Sequence, residues 1–464
     1  MQKKTKLQSN GAVLVVGGGL GGIRAALDLA EARKDVILVD KAPCIGGLMA
    51  QLDRTFPTNN CDLCTVAPFT AKEGRGGHLD MRGLTTVTAV SGKEGNFTVS
   101  LMTAPRFINV EKCTACGECQ RQFPDCVDFA PGLDPRAPTC MRYPKATPYA
   151  YVIDMAKCAD KEGLKKCCPV GAIEPDALPK TEEVQCGSII LAAGADLFDP
   201  GNIGDTAPRY PVAAAQYPNH LDYFGYKNQP DVVTSLEYER LLSASGPTGG
   251  KLLRPSNGQP PKRVAWIQCV GSRGLQKGAG GYCSSACCMF ALKEAIVTRE
   301  RFDSEIETTI FYMDMRTFGK DYEKYLTRAK EQYGVRLVHS RPHDVLRPEG
   351  VDRLQVSYTV DAEPKLITEE FDMVVLSTGF KMNAEVKKLA ENLGLELYAD
   401  GFPKTDCFNA VASSVPGVYV CGTIQGGKDI PETMTQASAA SCLAGGKVAV
   451  TPRPQAEPPA LMGQ

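Results

Sequence analysis

The residues best able to do chemistry in this sequence are its cysteines, 19 among 464 residues. Cys113, Cys116 and Cys119 stand in a C-x2-C-x2-C run, a spacing that lets thiolates turn around one cubane iron–sulfur cluster. In the bacterial two-cluster pattern a fourth cysteine follows after three residues, precedes a proline and ligates the other cluster. Here that place is Phe123, followed by Pro124. Downstream, Cys168-Pro169 supplies a matching end, and counting back through the same pattern lands on Leu164, Lys161 and Cys158. Crossed ligation then leaves one complete set, Cys113, Cys116, Cys119 and Cys168, and strips the second. The expectation is one 4Fe-4S cluster. A rebuilt second centre from Cys126, Cys140, Cys158 and Cys167 stays open. So does structural zinc at the first run, although its spacing is tighter than common zinc pairs.

Two further groups stand out. Cys61 and Cys64 form C-x2-C, and Cys283, Cys287 and Cys288 lie in YCSSACCM. Neither group alone supplies four ligands; together they make a possible second centre if the fold joins them. Alternatively, Cys61 and Cys64 form a redox dithiol, since C-x2-C lowers a thiol pKa, and Cys287 and Cys288 pack on a helix face. Cys44, Cys186, Cys269, Cys407, Cys421 and Cys442 are scattered and expected to be structural, as small buried hydrophobes.

The cysteines need elements to hold them. An apolar run at 12–16 reads as a buried parallel strand, and Ile23–Ala32 as a helix, with a second strand at 36–39. Between the first strand and the helix lie Gly17, Gly19 and Gly22, a GxGxxG turn. The first glycine permits the tight turn, the second lets backbone approach a pyrophosphate, and the third lets helix and strand pack closely. Asp40 ends the second strand, where a carboxylate can bind ribose hydroxyls, with Lys41 beside it. Gly46 and Gly47 follow in CIGG, Gly194 closes LAAG, and GVYVCG ends at Gly422-Thr423. This three-part distribution resembles flavoproteins with two dinucleotide-binding domains, in which a second nucleotide domain splits the flavin domain, and it favours FAD over NAD. Where those proteins often carry Gly-Asp, this chain has Gly422-Thr423. Lys428 and Asp429 are further candidates for the flavin's pyrimidine end, or else a solvated loop pair.

In the second nucleotide domain, strands are expected at 263–268, 307–313, 335–338 and 373–379, and helices at 286–301 and 320–333. Its first turn reads IQCVGSRG, in which Gly271 and Gly274 lack the phosphate-binding spacing, so no competent NAD(P) site is expected. A last strand, Gly417–Cys421, leads to a helix at Pro431–Ala444.

Composition narrows the classes. The 52 basic and 53 acidic residues leave a net charge of -1, which argues against a nucleic-acid partner. Four histidines make a multi-histidine metal centre a poor reading. No signal-peptide pattern follows Met1–Lys6, and no apolar run reaches the ~18 residues a membrane span needs. The expected setting is the cytoplasm, with reduced thiols and no direct membrane insertion.

The motifs converge on one family. CIGGLMAQLDRTFPT, KCTACGEC, IQCVGSRG, YCSSACCM, FYMDMRTFGKDYEKYL and YVCGTIQGGKDIPETMTQASAA together resemble the heterodisulfide reductase A subunit, and touch most of residues 11–445. Related members include the A subunit of the quinone-interacting membrane-bound oxidoreductase. The resemblance implies an α/β, thioredoxin-reductase-like flavoprotein with two dinucleotide-binding domains and an inserted ferredoxin-like domain. The implied parts are a FAD-binding first part (1–108), the inserted 4Fe-4S domain (109–180) and the second FAD part with a linker (181–260). A degenerate second dinucleotide-binding domain (261–404), a C-terminal FAD part (405–450) and a disordered tail (451–464) follow. FAD and a 4Fe-4S cluster are the implied cofactors. The implied role is a flavin hub relaying electrons among subunits, with heterodisulfide reductase B- and C-like partners linked to a hydrogenase or dehydrogenase. Some members bifurcate electrons at FAD. The depleted insertion, and the expected lack of the C-terminal ferredoxin module of long members, argue against full bifurcation here. The rival class is a stand-alone NAD(P)H- or disulfide-dependent flavoprotein reductase.

Overall fold

The computed structural model describes residues 11–61, 77–127, 147–201, 223–274, 279–360 and 363–449. Cys64, Cys140 and the 451–464 tail lie outside the described residues.

Two parallel five-stranded sheets carry the chain. The first is built from β1 (Val13–Val16), β2 (Val36–Val39), β3 (Leu79–Arg82), β4 (Ser188–Leu191) and β10 (Val418–Val420). Its order is β10-β4-β1-β2-β3, and every neighbour pair is parallel. The central strands read as unbroken apolar runs because side chains on both faces enter a core. Helix α1 (Leu20–Glu31) lies on one face with α4 (Ile430–Gly445), their alanines and glycines allowing close approach: a Cβ on Gly21 would come 3.3 Å from Thr433 Cγ2. The α1 helix starts at Leu20, earlier than the expected Ile23, so Gly22 is inside it. As the third glycine of the turn it packs closely, a Cβ there overlapping the Gly17 carbonyl oxygen.

The second sheet holds β5 (Val232–Thr234), β6 (Arg263–Val270), β7 (Glu307–Tyr312), β8 (Arg336–His339) and β9 (Met373–Thr378) in the order β5-β9-β6-β7-β8, all parallel. Helices α2 (Ser235–Leu242) and α3 (Cys287–Arg301) cover it. Two expected boundaries move. The second unit begins at β5, inside the 181–260 stretch, because the short Val232–Thr234 run pairs with β9. It ends at β9: Phe380 pairs with Leu197, and Met382, Val386, Ala390 and Phe402 bury into the core of the first sheet. Residues 380–404 therefore pack with the flavin-type unit.

The insertion is hung on an antiparallel ladder. Strands Asn96–Thr103 and Lys180–Cys186 pair along their length, ending at Thr103↔Lys180. The chain thus leaves and returns side by side, and the inserted part spans 104–179 instead of the expected 109–180. Its own small core gathers Ile108, Val127, Ile153, Leu164 and Ile173.

Candidate functional site

The glycine turn closes against three neighbours. Gly17 has φ +112, and a side chain there would overlap the Ala192 carbonyl of β4's end. A Cβ on Gly22 would overlap the Gly17 carbonyl oxygen, and one on Gly47 (φ +57) would sit 2.7 Å from Gly19 Cα. Gly46 donates its amide to the Gly18 carbonyl oxygen at 2.8 Å. Gly17, Gly19, Gly22, Gly46 and Gly47 are therefore one backbone cradle. Gly19 caps α1 without a side-chain bond, so the first amides of the helix are free of side-chain partners and suit a phosphate. Asp40 Oδ2 accepts from the Gly18 amide at 2.5 Å and Oδ1 from Ala42 at 2.7 Å. Burial raises its pKa, while those two amides and nearby Lys41 oppose the rise. Lys41 itself reaches away to Glu385, 2.9 Å off.

The late glycines meet at the other edge of the same sheet. Gly194 (φ +73) and Gly422 (φ +79) flank Thr423, whose hydroxyl accepts from the Ala195 amide at 3.1 Å. The Gly422 amide donates to Gln436 Oε1 at 3.1 Å. Asp429 is committed to structure: it caps α4 in a reciprocal box with Glu432 and accepts from the Tyr322 hydroxyl at 2.7 Å. It is not a solvated loop residue. Lys428 donates to Gln425 at 2.9 Å, and burial lowers its pKa.

In the insertion, Cys113, Cys116, Cys119 and Cys168 line one cavity with Ile108, Tyr151 and Pro169. The Ala172 amide points at Cys168 Sγ, 3.2 Å away. Burial and the neighbouring thiols push Cys119 up to about 12, so metal loading would release protons. Among the described residues no three His, Cys, Asp or Glu side chains gather tightly enough to hold a single metal ion. Of the positions that the two-cluster pattern gives to ligands, Leu164 is fully buried and Phe123 packs against the same small core. Cys126 and Cys158 form a buried thiol pair there. Cys167 does not join them: it donates to the Leu164 carbonyl oxygen at 3.0 Å and faces Cys168 and Cys116.

The third cysteine group corrects an expectation. Cys269, read as scattered, is hydrogen-bonded with Cys287, which in turn bonds Cys288. Cys269 sits at φ +60 where the β6–β9 register shifts. Cys287 and Cys288 open α3, whose N-terminus has no side-chain cap. The Cys287 contact, with Arg273 and Arg341 nearby, lowers Cys269 to about 6. Cys283 accepts from the Ser285 amide at 3.3 Å. Cys61 is exposed, and the sulfurs in contact with Cys287 are those of Cys269 and Cys288. The available signal was IQC at the end of a strand whose next helix begins CC. Cys44 is disulfide-bonded.

Two glycines at the degenerate turn pack closely on neighbouring side chains. A side chain on Gly271 would overlap the Phe198 ring, and one on Gly379 would overlap Ser272. Ser272 and Ser284 hydroxyls lie 2.7 Å apart, and Ser284 also accepts from the Phe380 amide at 2.9 Å.

Between the two sheets lies an apolar cavity lined by Leu48, Leu52, Leu236, Cys287, Phe290 and Phe380. Below it, Lys293 forms an ion pair with Glu239; both are fully buried. Sequence reading missed this pair, because neither residue lies in a motif.

Such geometry defines an FAD-dependent oxidoreductase with two dinucleotide-binding units, and comparison bears this out. Residues 12–62 match the family model described as FAD dependent oxidoreductase, and residues 280–441 that described as pyridine nucleotide-disulphide oxidoreductase. T. acidophilum thioredoxin reductase aligns with a TM-score of 0.50 over 95% of this chain and 99% of its own, at 15% identity, a likeness of fold. An iron-sulfur A subunit of the CoB–CoM heterodisulfide reductase of Methanopyrus kandleri, the second of that organism, is 39% identical over 96% of this chain and 66% of the relative. A protein of Archaeoglobus profundus, described as like the heterodisulfide reductase A subunit, is 32% identical over 95% of this chain and 67% of the relative. The chain belongs to the family of heterodisulfide reductase A subunits, and it spans about two thirds of the length of these relatives.

Proposed function

We propose that this chain is the flavin- and cluster-bearing electron-transfer component of a heterodisulfide-reductase-like complex, relaying electrons between partner subunits. The observation that carries it is the convergence of Cys113, Cys116, Cys119 and Cys168 on one cavity, in a module attached to a dinucleotide-binding sheet. Gly17, Gly19, Gly22, Asp40, Gly46 and Gly47 would hold FAD at the cradle, with Gly194, Gly422 and Thr423 at its far end. A flavin accepts an electron pair and passes electrons on singly to iron–sulfur centres. The Ala172 amide would stabilise ligand charge on Cys168. A further sulfur-ligated centre is proposed at Cys269, Cys283, Cys287 and Cys288, with Cys269 in place of Cys61 and Cys64. Partners are B- and C-like redox subunits, in the cytoplasm. No helix among the described residues is long and apolar enough to cross a membrane.

Against the stand-alone NAD(P)H-dependent reading stands the spacing of Gly271 and Gly274, which lacks the GxGxxG interval. Anaerobic purification with flavin and iron assays tests the proposal. About one FAD and about four irons per chain fit the inserted cluster alone, and about eight irons add the second centre. A colourless chain, or steady NADH oxidation by the chain alone, rejects it.

A further inference from the structure

The inserted module meets its host at a second place besides the ladder that carries it. There residues 147–151 of the module lie along the host loop that leads into Gly46 and Gly47. The Ile45 amide donates to the Thr147 carbonyl oxygen at 3.0 Å, and the two residues form an isolated antiparallel bridge. Arg106 spans the same boundary. Its Nη1 donates to the Ala150 and Tyr151 carbonyl oxygens at 3.3 and 3.5 Å, and its Nη2 to the Pro43 carbonyl oxygen. Pro43 belongs to the host, and Ala150 and Tyr151 to the module.

Both ends of this bridge are fixed on their own sides. In the host, Asp40 holds the Gly18 and Ala42 amides, and the Leu84 amide donates to the Ala42 carbonyl oxygen at 2.9 Å. Gly83 fits against the Pro43 carbonyl oxygen, where a Cβ would come within 2.8 Å. In the module, the Arg106 carbonyl oxygen accepts from the Ile153 amide at 3.2 Å. Tyr151 lines the cavity of Cys113, Cys116, Cys119 and Cys168. Its hydroxyl donates to Gln120 at 3.1 Å, in the short helix Glu118–Gln122 that carries Cys119. Among the described residues no carboxylate pairs with Arg106. Burial lowers its pKa to about 10, with Cys113 opposing the fall, so the side chain is charged at neutral pH. A charged donor makes the stronger bond to a carbonyl, and the rigid guanidinium fork reaches acceptors on two sides at once.

We propose that Arg106 is a positioning residue for electron transfer: it bolts the inserted module to the loop of the nucleotide cradle and so sets the separation between the cluster cavity and the cradle. The ladder ending at Thr103 and Lys180 holds the module along one edge, and Arg106 fixes how the module stands on it. Flavin and iron content do not depend on the bolt, because Pro43, Ala150 and Tyr151 are assigned to neither cofactor. The role in electron transfer rests on the flavin and cluster reading above.

Hydrogen exchange on the full chain tests the bolt directly, in thiol reductant so that the Cys44 disulfide is open. In Arg106→Gln the Ile45 amide should exchange about tenfold faster than in wild type, the equivalent of one charge-assisted hydrogen bond. Amides of the Asn96–Thr103 strand should keep their rates, as should those of Asn109 and Glu174, which are bonded inside the module. Gly83→Ala pushes on the Pro43 carbonyl from the host side and should free Ile45 likewise; it decides alone if Arg106→Gln unfolds the module. Wild-type exchange at Ile45 in both variants overturns the bolt, whether or not FAD binds. With both cofactors present, flash reduction of the flavin followed by cluster absorbance reads the transfer rate. Arg106→Gln should slow it by up to the same tenfold at unchanged flavin and iron content, and Arg106→Lys, which keeps a charged donor, should recover part of it. Equal rates overturn the positioning role, and so does loss of flavin or iron from the variant alone. A wild-type chain without flavin or iron overturns the cofactor reading and leaves the exchange result standing.

Discussion

Asp40 and Gly18 meet carboxylate to amide at 2.5 Å, which fixes the phosphate-facing turn to the end of β2. The other Asp40 oxygen holds Ala42, so one side chain ties both ends of the cradle. Asp40→Ala should cut FAD retention about tenfold, the equivalent of one charge-assisted hydrogen bond, while circular dichroism keeps its helical signal. Asp40→Asn should retain more, since its amide oxygen still accepts. Full FAD content in Asp40→Ala would remove the residue from the site.

Cys168 shares the cavity of Cys113, Cys116 and Cys119, whereas Cys158 pairs with Cys126 in the apolar core beyond Leu164. Cys168→Ala should abolish the electron paramagnetic resonance signal of the reduced inserted cluster and remove about four irons. Cys158→Ala should leave both intact. If loss of signal follows the Cys158 change, the ligand set is misassigned.

The Glu239–Lys293 ion pair makes an unequal demand on the fold. Removing one partner strands a buried charge, so Lys293→Met should destabilise by about 3–5 kcal/mol. The double change Lys293→Met with Glu239→Leu should recover much of that loss, as hydrophobic replacement of a whole buried pair is often neutral. Urea titrations of the three chains measure it; a double variant no better than the single one contradicts the prediction.

Glu369 carries a pH dependence with a definite sign. Arg336 grips it at 2.8 and 2.6 Å, with Arg263 at 3.2 Å, and the Arg336 bond holds its pKa down to about 2 from 4.5. A depressed carboxylate pKa stabilises fully above 4.5 and loses that contribution as pH falls through about 2. Because Arg336 is 44% exposed, Glu369→Gln should cost only about 1 kcal/mol at pH 7. The gap should close near pH 2, as thermal melts of both chains would show.

Much of the scaffold was legible because the strands are short apolar runs with both faces covered. The 36–39 strand and the 286–301 helix were found to within a residue. The spacing picked out Cys113, Cys116, Cys119 and Cys168, and these four line one cavity. What escaped reading depends on tertiary contact. Cys269 gives no motif by itself; only a register shift beside α3 brings it to Cys287. Glu239, Lys293 and Glu294 look like ordinary helix-surface charges in ERLL and LKEA, and only the packing of α2 on α3 and β6 buries them. Val232–Thr234 is too short to stand out, and its partner β9 lies more than a hundred residues on.

The paired exit and return at Thr103 and Lys180 has an evolutionary consequence. A module whose two ends sit adjacent on a single ladder can drift in cofactor content without straining its host. Phe123 and Leu164 occupying ligand positions fit that freedom: wiring for electrons can be shortened by one stop in the guest while the nucleotide-binding host keeps its architecture. Relatives with different cluster complements are then to be sought through substitutions confined to this loop-in, loop-out segment.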